Sequence, residues 1–146
     1  MSLDIYPNVQ PDVLAAGEQA VITFPVGLVG CADWQRFVVL DDEQAPGLHV
    51  MQSLDEPTIS FLITDPRLIV SDYKVSIDPD ERQAIELGEG EDVVVQCILT
   101  ARGEPAMVTA NLLGPLAINP NRRLATQLVL IDTPYSTRHL VLAGGS

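Results

Sequence analysis

The groups able to do chemistry are few and scattered. His49 and His139 are the two histidines and Cys31 and Cys97 the two cysteines, each alone in a strand-like or loop segment. A zinc site needs three or four ligands at spacings such as HExxH or CxxC, and none occurs here. Each histidine therefore reads as a buried, hydrogen-bonded group, and both thiols as small buried apolar groups of a reducing compartment. No GxSxG elbow surrounds a serine, and neither cysteine lies in a motif that would activate it. Carboxylates are abundant. Asp41-Asp42-Glu43 and Asp55-Glu56 could do acid–base work or bind Ca²⁺, but no EF-hand spacing is present. Both clusters fall in turn-like stretches, where aspartate has local backbone roles. Gly88-Glu-Gly-Glu-Asp92 lacks the lysine and the preceding apolar strand of a phosphate loop, and its acids repel phosphate. The residues predict no catalytic constellation, no metal site and no cofactor. What remains is binding.

The elements that would position these groups are mostly strands. Short β-type runs recur between turn signals: 21–24, 37–40, 48–54, 59–64, 72–77, 92–100, 107–111, 116–119, 124–131 and 138–142. Ile59, Phe61 and Ile63 share one face of their run. Val93, Val95, Cys97 and Leu99 share a face against Val94, Gln96, Ile98 and Thr100, and Leu124–Ile131 alternates likewise. Both faces of 92–100 and 124–131 are rather apolar, so these strands are expected centrally, with cover on each side. Pro25, Gly27 and Gly30 shape a tight loop after the first of these strands, and Asn119-Pro-Asn-Arg122 predicts a turn between antiparallel neighbours. One helix is expected, with Asp78 as N-cap, Pro79 at its first position, Glu81 completing a capping box and Gly88 ending it. Ala84, Ile85 and Leu87 would form its apolar stripe, and a second short turn is expected around Ala32–Arg36. The pattern is mainly all-β, a single antiparallel barrel or sandwich domain over 1–146 with one or two short helices.

Twenty acids against eight bases give a formal net charge of −12 on 146 residues. The imbalance lies in the first hundred positions; from 101 onward two acids, Glu104 and Asp132, face Arg102, Arg122, Arg123 and Arg138. So negative a body repels phosphate backbones, which disfavours direct nucleic-acid binding, and attracts basic partners. The N-terminal residues have no basic segment followed by an apolar one, and no apolar run approaches the roughly 18–20 residues that span a bilayer. A cytoplasmic protein without membrane contact is expected.

Three segments, taken together, resemble the flagellar assembly factor FliW family. The first is Ile22-Thr-Phe-Pro-Val-Gly-Leu-Val-Gly-Cys-Ala-Asp-Trp-Gln-Arg-Phe-Val-Val-Leu40, close to the family's FPxGLxG loop and the strand after it. The second is Gln52-Ser-Leu-Asp-Glu-Pro-Thr-Ile-Ser-Phe-Leu-Ile-Thr-Asp-Pro66, similar to QSLDDP…F…DP. The third is Val108-Thr-Ala-Asn-Leu-Leu-Gly-Pro-Leu-Ala-Ile-Asn119, followed by Arg122, Gln127-Leu-Val-Leu-Ile131 and Tyr135-Ser-Thr-Arg-His139. The chain departs from the pattern at Cys31, where the family usually carries an aromatic residue, and up to Ala20.

The resemblance implies a small β-barrel-like fold and a cytoplasmic protein that binds flagellin and the RNA-binding translational regulator CsrA. In that scheme flagellin sequesters the factor until it is exported. The freed factor then binds CsrA and releases translation of flagellin message, with no catalysis and no cofactor. The rival readings are a flagellin-only export chaperone, an enzyme on the same barrel, and a self-assembling structural subunit; the net charge favours a monomer over the last. The candidate partner contacts are Asp55, Glu56, Asp80, Glu81, Glu86, Asn111, Asn119, Arg138 and His139. Gln52, Asn111, Asn119 and Gln127 lie beside apolar strands, where an amide more often satisfies loop backbone than meets a partner. Trp34 reads as a packing residue.

Overall fold

The computed structural model describes residues 2–3, 21–41, 46–103 and 107–143. Within them the strands are β1 (Ser2–Leu3), β2 (Val21–Thr23), β3 (Arg36–Asp41), β4 (Leu48–Ser53), β5 (Ser60–Thr64) and β6 (Val75–Ser76). After the helix α1 (Pro79–Ala84) come β7 (Val94–Arg102), β8 (Met107–Ala110), β9 (Leu116–Asn119), β10 (Leu124–Gln127) and β11 (His139–Ala143). The large sheet runs β11-β8-β7-β5-β4-β3-β2-β10-β9, and β9 returns to pair with β7. That pairing closes β7, β5, β4, β3, β2, β10 and β9 into a barrel, which removes their open edges.

β7 is long enough to serve two neighbours on one side. Val94–Gln96 pairs with β9 inside the barrel, while Leu99–Arg102 runs on to pair with β8. β8 carries β11, so β7, β8 and β11 form a three-stranded flap projecting from the wall. All barrel pairings are antiparallel except β2 with β10, which meet in parallel through Thr23 and Leu124. The expected antiparallel barrel thus closes through one parallel contact.

Period-two alternation builds two cores on the two sides of β7. Ile22, Phe24, Phe37, Val39, Met51, Ile63, Val94, Leu116 and Ile118 point into the barrel. Val93, Val95 and Cys97 face outward and are covered by Tyr73, Val75, Ile77, Ile85 and Leu87. Full burial contributes roughly 1.5–3 kcal/mol per large apolar side chain, so cover on both faces makes β7 the most consequential strand. The expectation from its two apolar faces holds.

Several boundaries differ from the sequence expectation, each because a backbone group takes another partner or conformation. α1 begins as expected: Asp78 accepts from Glu81 N at 2.8 Å and Glu81 accepts from Asp78 N at 3.2 Å. It ends at Ala84 rather than Gly88, because Glu86 takes a left-handed φ of 54°. Leu87 N then bonds Arg82 O and Glu86 N bonds Gln83 O, which terminates the helix. Ile85 and Leu87 are buried, but Ala84 is exposed and drops out of the stripe. The expected short turn forms at Ala32-Asp33, where Trp34 N bonds Cys31 O, and it goes no further because the Gln35 and Arg36 N–H groups both donate to Asp55 at 2.8 Å. The 72–77 run shortens to β6, its start drawn into a turn in which Tyr73 N bonds Val70 O. The 124–131 run stops at Gln127. Leu128 N and Leu130 N bond the loop carbonyls of Pro115 and Leu113, and Val129 and Ile131 face solvent.

Cys97 is fully buried, and burial pushes its thiol up to about 12, whereas Cys31 is half-buried rather than buried. His49 is buried with Nδ1 2.6 Å from Asp41 Oδ1, as a lone strand histidine predicts; His139 is half-buried. Of the Asp41-Asp42-Glu43 cluster, Asp42 and Glu43 lie outside the described residues. Trp34 is half-buried against Phe61, the ring centroids 6.1 Å apart.

Candidate functional site

The polar residues of the sequence motifs prove to be fasteners. Gln52 Nε2 donates to the carbonyls of Ser53, Pro57 and Ile59, shaping the β4–β5 turn. Gln127 Oε1 accepts from Val29 N at 2.9 Å while its Nε2 donates to Gly114 O at 3.0 Å. One side chain thus ties the 25–30 loop to the loop before β9. Within the first loop Gly27 has φ 71°, and a Cβ there would sit on the Ala32 backbone. Asn111 Oδ1 accepts from Gly114 N at 2.8 Å.

Asn119 is completely buried. Its Nδ2 donates to Ile85 O at 2.9 Å and Glu86 O at 3.2 Å, while Oδ1 accepts from Asn121 N at 3.1 Å. It therefore caps the end of α1 and braces the β9–β10 turn at once, and it has no surface to offer a partner. That removes it from the candidate contacts. Asp55 accepts from Gln35 N and Arg36 N through Oδ2 and from Arg36 Nε through Oδ1 at 3.1 Å. These bonds, that from Arg36 N above all, hold its carboxyl below the usual aspartate range. Its neighbour Glu56 is exposed and accepts from Thr58 Oγ1 at 3.0 Å.

Asp80, Glu81 and Glu86 share the second region, the stretch from Asp78 to Asp92, which holds seven acids and one base. Its base, Arg82, is buried and donates to Gly88 O at 3.1 Å. Glu81 is partly withdrawn into the capping box, where burial raises its carboxyl above the usual range. Glu91 is held low, first by the Gly88 N–H at 2.6 Å and also by Arg122. Arg122 lies 3.2 Å from Glu91 and 3.6 Å from Glu86, so a residue of the β9–β10 turn neutralises part of this face. Asp80, Glu89 and Asp92 stay exposed. The role of Arg122 was not legible, since thirty-one positions separate it from Glu91.

Arg138 is exposed at the start of β11, its backbone N–H donating to Ser136 Oγ at 2.9 Å. His139 pairs with Ala110 across the flap. The nine candidate residues thus occupy three places: the β4–β5 turn, the acidic stretch around α1, and the base of the flap. The structure does not bring them into one site. Among the described residues no group of three His, Cys, Asp or Glu side chains could hold a metal ion, and no helix is long and apolar enough to cross a membrane.

A family model described as FliW protein matches residues 10–141. The chain is 34% identical over 126 residues to the flagellar assembly factor FliW of Geobacter sulfurreducens, spanning 86% of this chain and 79% of that protein. It is 37% identical over 123 residues to the same factor of Treponema pallidum, spanning 84% and 81%. A crystal structure of the flagellar assembly factor FliW superposes with a TM-score of 0.78 at 24% identity, covering 100% of both chains, and shares the fold.

Proposed function

The chain belongs to the FliW family of flagellar assembly factors, and from that membership we propose that it is a cytoplasmic, non-catalytic binding protein whose partners are flagellin and the RNA-binding regulator CsrA. The observation that carries the CsrA half is the face around α1. Its only base within 78–92 is buried, while Asp80, Glu89 and Asp92 remain at the surface. A regulator that grips RNA needs an exposed basic surface. A body of charge −12 is steered toward such a surface and, once docked, discourages RNA from returning. Asn119 supports this face from behind by holding the end of α1, while Asp55, at the β4–β5 turn, clamps Gln35 and Arg36.

The test is a titration of the purified protein into a labelled CsrA–RNA complex, with and without flagellin, following released RNA by fluorescence anisotropy. Release that flagellin suppresses, and that weakens steeply as salt rises, supports the reading. Release unchanged by salt or by Asp80→Lys with Glu89→Lys removes the electrostatic mechanism. Complex formation with flagellin alone leaves an export chaperone.

A further inference from the structure

The flap carries a second surface of opposite character. Thr100, Arg102, Met107, Thr109, Arg138 and Leu140 line a groove of about 530 Å³. Their placement follows from register. Thr100 pairs with Thr109 and Thr109 with Leu140, and one same-face row further Arg102 pairs with Met107. Arg138 stands two residues before Leu140, so alternation puts all six on one face. The other face of the flap carries Ala110 into the outer core. The groove face is therefore the uncovered one, and on it Leu140 and Met107 are 53% and 49% exposed. β11 ends the sheet, and among the described residues no strand lies beyond it.

The charge here is unusual for this molecule. Arg36 and Arg122 form ion pairs with carboxylates, Arg82 donates to Gly88 O, and Arg67 and Arg123 are also engaged. Among the described residues Arg102 and Arg138 are the arginines whose guanidinium has no partner, and both line this one groove, to which none of the described residues brings a carboxylate. With acids outnumbering bases by twenty to eight, partners within the chain were plentiful.

We propose that this groove docks an extended protein segment carrying two carboxylates on either side of a large apolar residue. The apolar side chain fits over Leu140 and Met107, and each carboxylate takes one guanidinium, a pairing whose forked geometry adds orientation as well as strength. Arg138 and Arg102 stand on same-face rows about four residues apart, roughly 14 Å along the strand direction at the usual rise. That spacing asks for acids three to five positions apart in an extended chain. A nucleic acid is the poorer occupant, because a long polyanion meets the field of the whole acidic body while a short segment brings only two charges. This inference does not depend on which proteins the acidic face serves.

The experiment selects a random 12-residue peptide display library on the full chain, then measures the enriched peptides by fluorescence anisotropy. The expected consensus holds two acids flanking Leu, Ile, Met or Phe. Arg102→Glu with Arg138→Glu should weaken it at least about tenfold, and exchanging the peptide's acids for lysine should restore binding to that variant. Leu140→Ser, which leaves the charges in place, should weaken the same peptides and serves if the double variant does not fold. Absence of an acidic consensus, or equal binding to the double variant, overturns the proposal. So does a double variant that loses anionic vesicles or an RNA oligomer while no peptide is selected, since the groove would then serve lipid or nucleic acid.

Discussion

The loops of the barrel and the three-stranded flap hold polar side chains to opposite effect. In the barrel loops Gln52, Asn111, Asn119, Gln127 and Asp55 each place a side-chain oxygen or amide on backbone of a neighbouring segment. On the flap Arg102 and Arg138 place guanidinium groups along a groove where no acid among the described residues answers them. Chemistry-bearing side chains whose valences are filled inside the fold belong to its architecture. Those left unfilled beside exposed aliphatics are the ones available to another molecule.

That contrast can be broken by measurement, beginning at Asn119. Asn119→Ala leaves the Ile85 and Glu86 carbonyls and the Asn121 N–H unanswered. It should lower unfolding free energy by about 2–3 kcal/mol in urea, whereas Arg102→Ala and Arg138→Ala should each stay within about 0.5 kcal/mol. Equal losses at Asn119 and at the two arginines would erase the distinction. Tyr73→Phe is the next largest. The buried phenol donates to Leu112 O at 2.7 Å, and burial pushes it well above the usual tyrosine range, so its loss should cost about 1–2 kcal/mol.

Glu86→Gly runs the other way. The left-handed φ of 54° is costly for a side chain and free for glycine, so the substitution should stabilise by about 0.5–1 kcal/mol, read as a raised Tm. A lowered Tm would mean that the Arg122 contact at 3.6 Å outweighs the backbone term.

The smallest signal is a pH effect at Asp55. Its folded carboxyl lies below its unfolded value, so its contribution is present above the ordinary aspartate range near ~3.9 and fades as pH falls through the folded value. Asp55→Asn should therefore flatten the acid limb of the Tm–pH profile below about pH 4, with little change in its slope near neutrality. An unchanged acid limb would mean the clamp on Gln35 and Arg36 does not depend on charge.

Much of this was legible in residue order. Alternation located β2 to β5 and β7 to β10 and anticipated the double cover of β7, because a strand apolar on both faces has nowhere else to go. Local signals also fixed the start of α1 at Asp78-Pro79. The errors have two causes: local turns end α1 early and shorten the 72–77 run, and distant backbone partners account for the rest. Asp55 claimed the N–H groups of Gln35 and Arg36, and the Pro115 and Leu113 carbonyls drew Leu128 and Leu130 out of strand pairing. The family motifs carried the resemblance through Gln52, Asn111, Asn119 and Gln127, which turn out to build the loops. A signature made of loop fasteners identifies a fold well and a partner surface poorly. The uncompensated pair Arg102 and Arg138 gave no local signal, since it exists only once β7, β8 and β11 are in register.

The position of β7 has a further consequence, for cooperativity. Val94 belongs to the inner core while Val93, Val95 and Cys97 belong to the outer, so neither can melt while the other stays intact. Amide protons of Val94–Cys97 can then exchange with solvent only when the whole domain opens. A ligand gripping the shell around α1 would slow that exchange deep inside the barrel without touching it, by mass action on the single folded state. Occupancy of the acidic face would thus be readable from amides that no partner reaches.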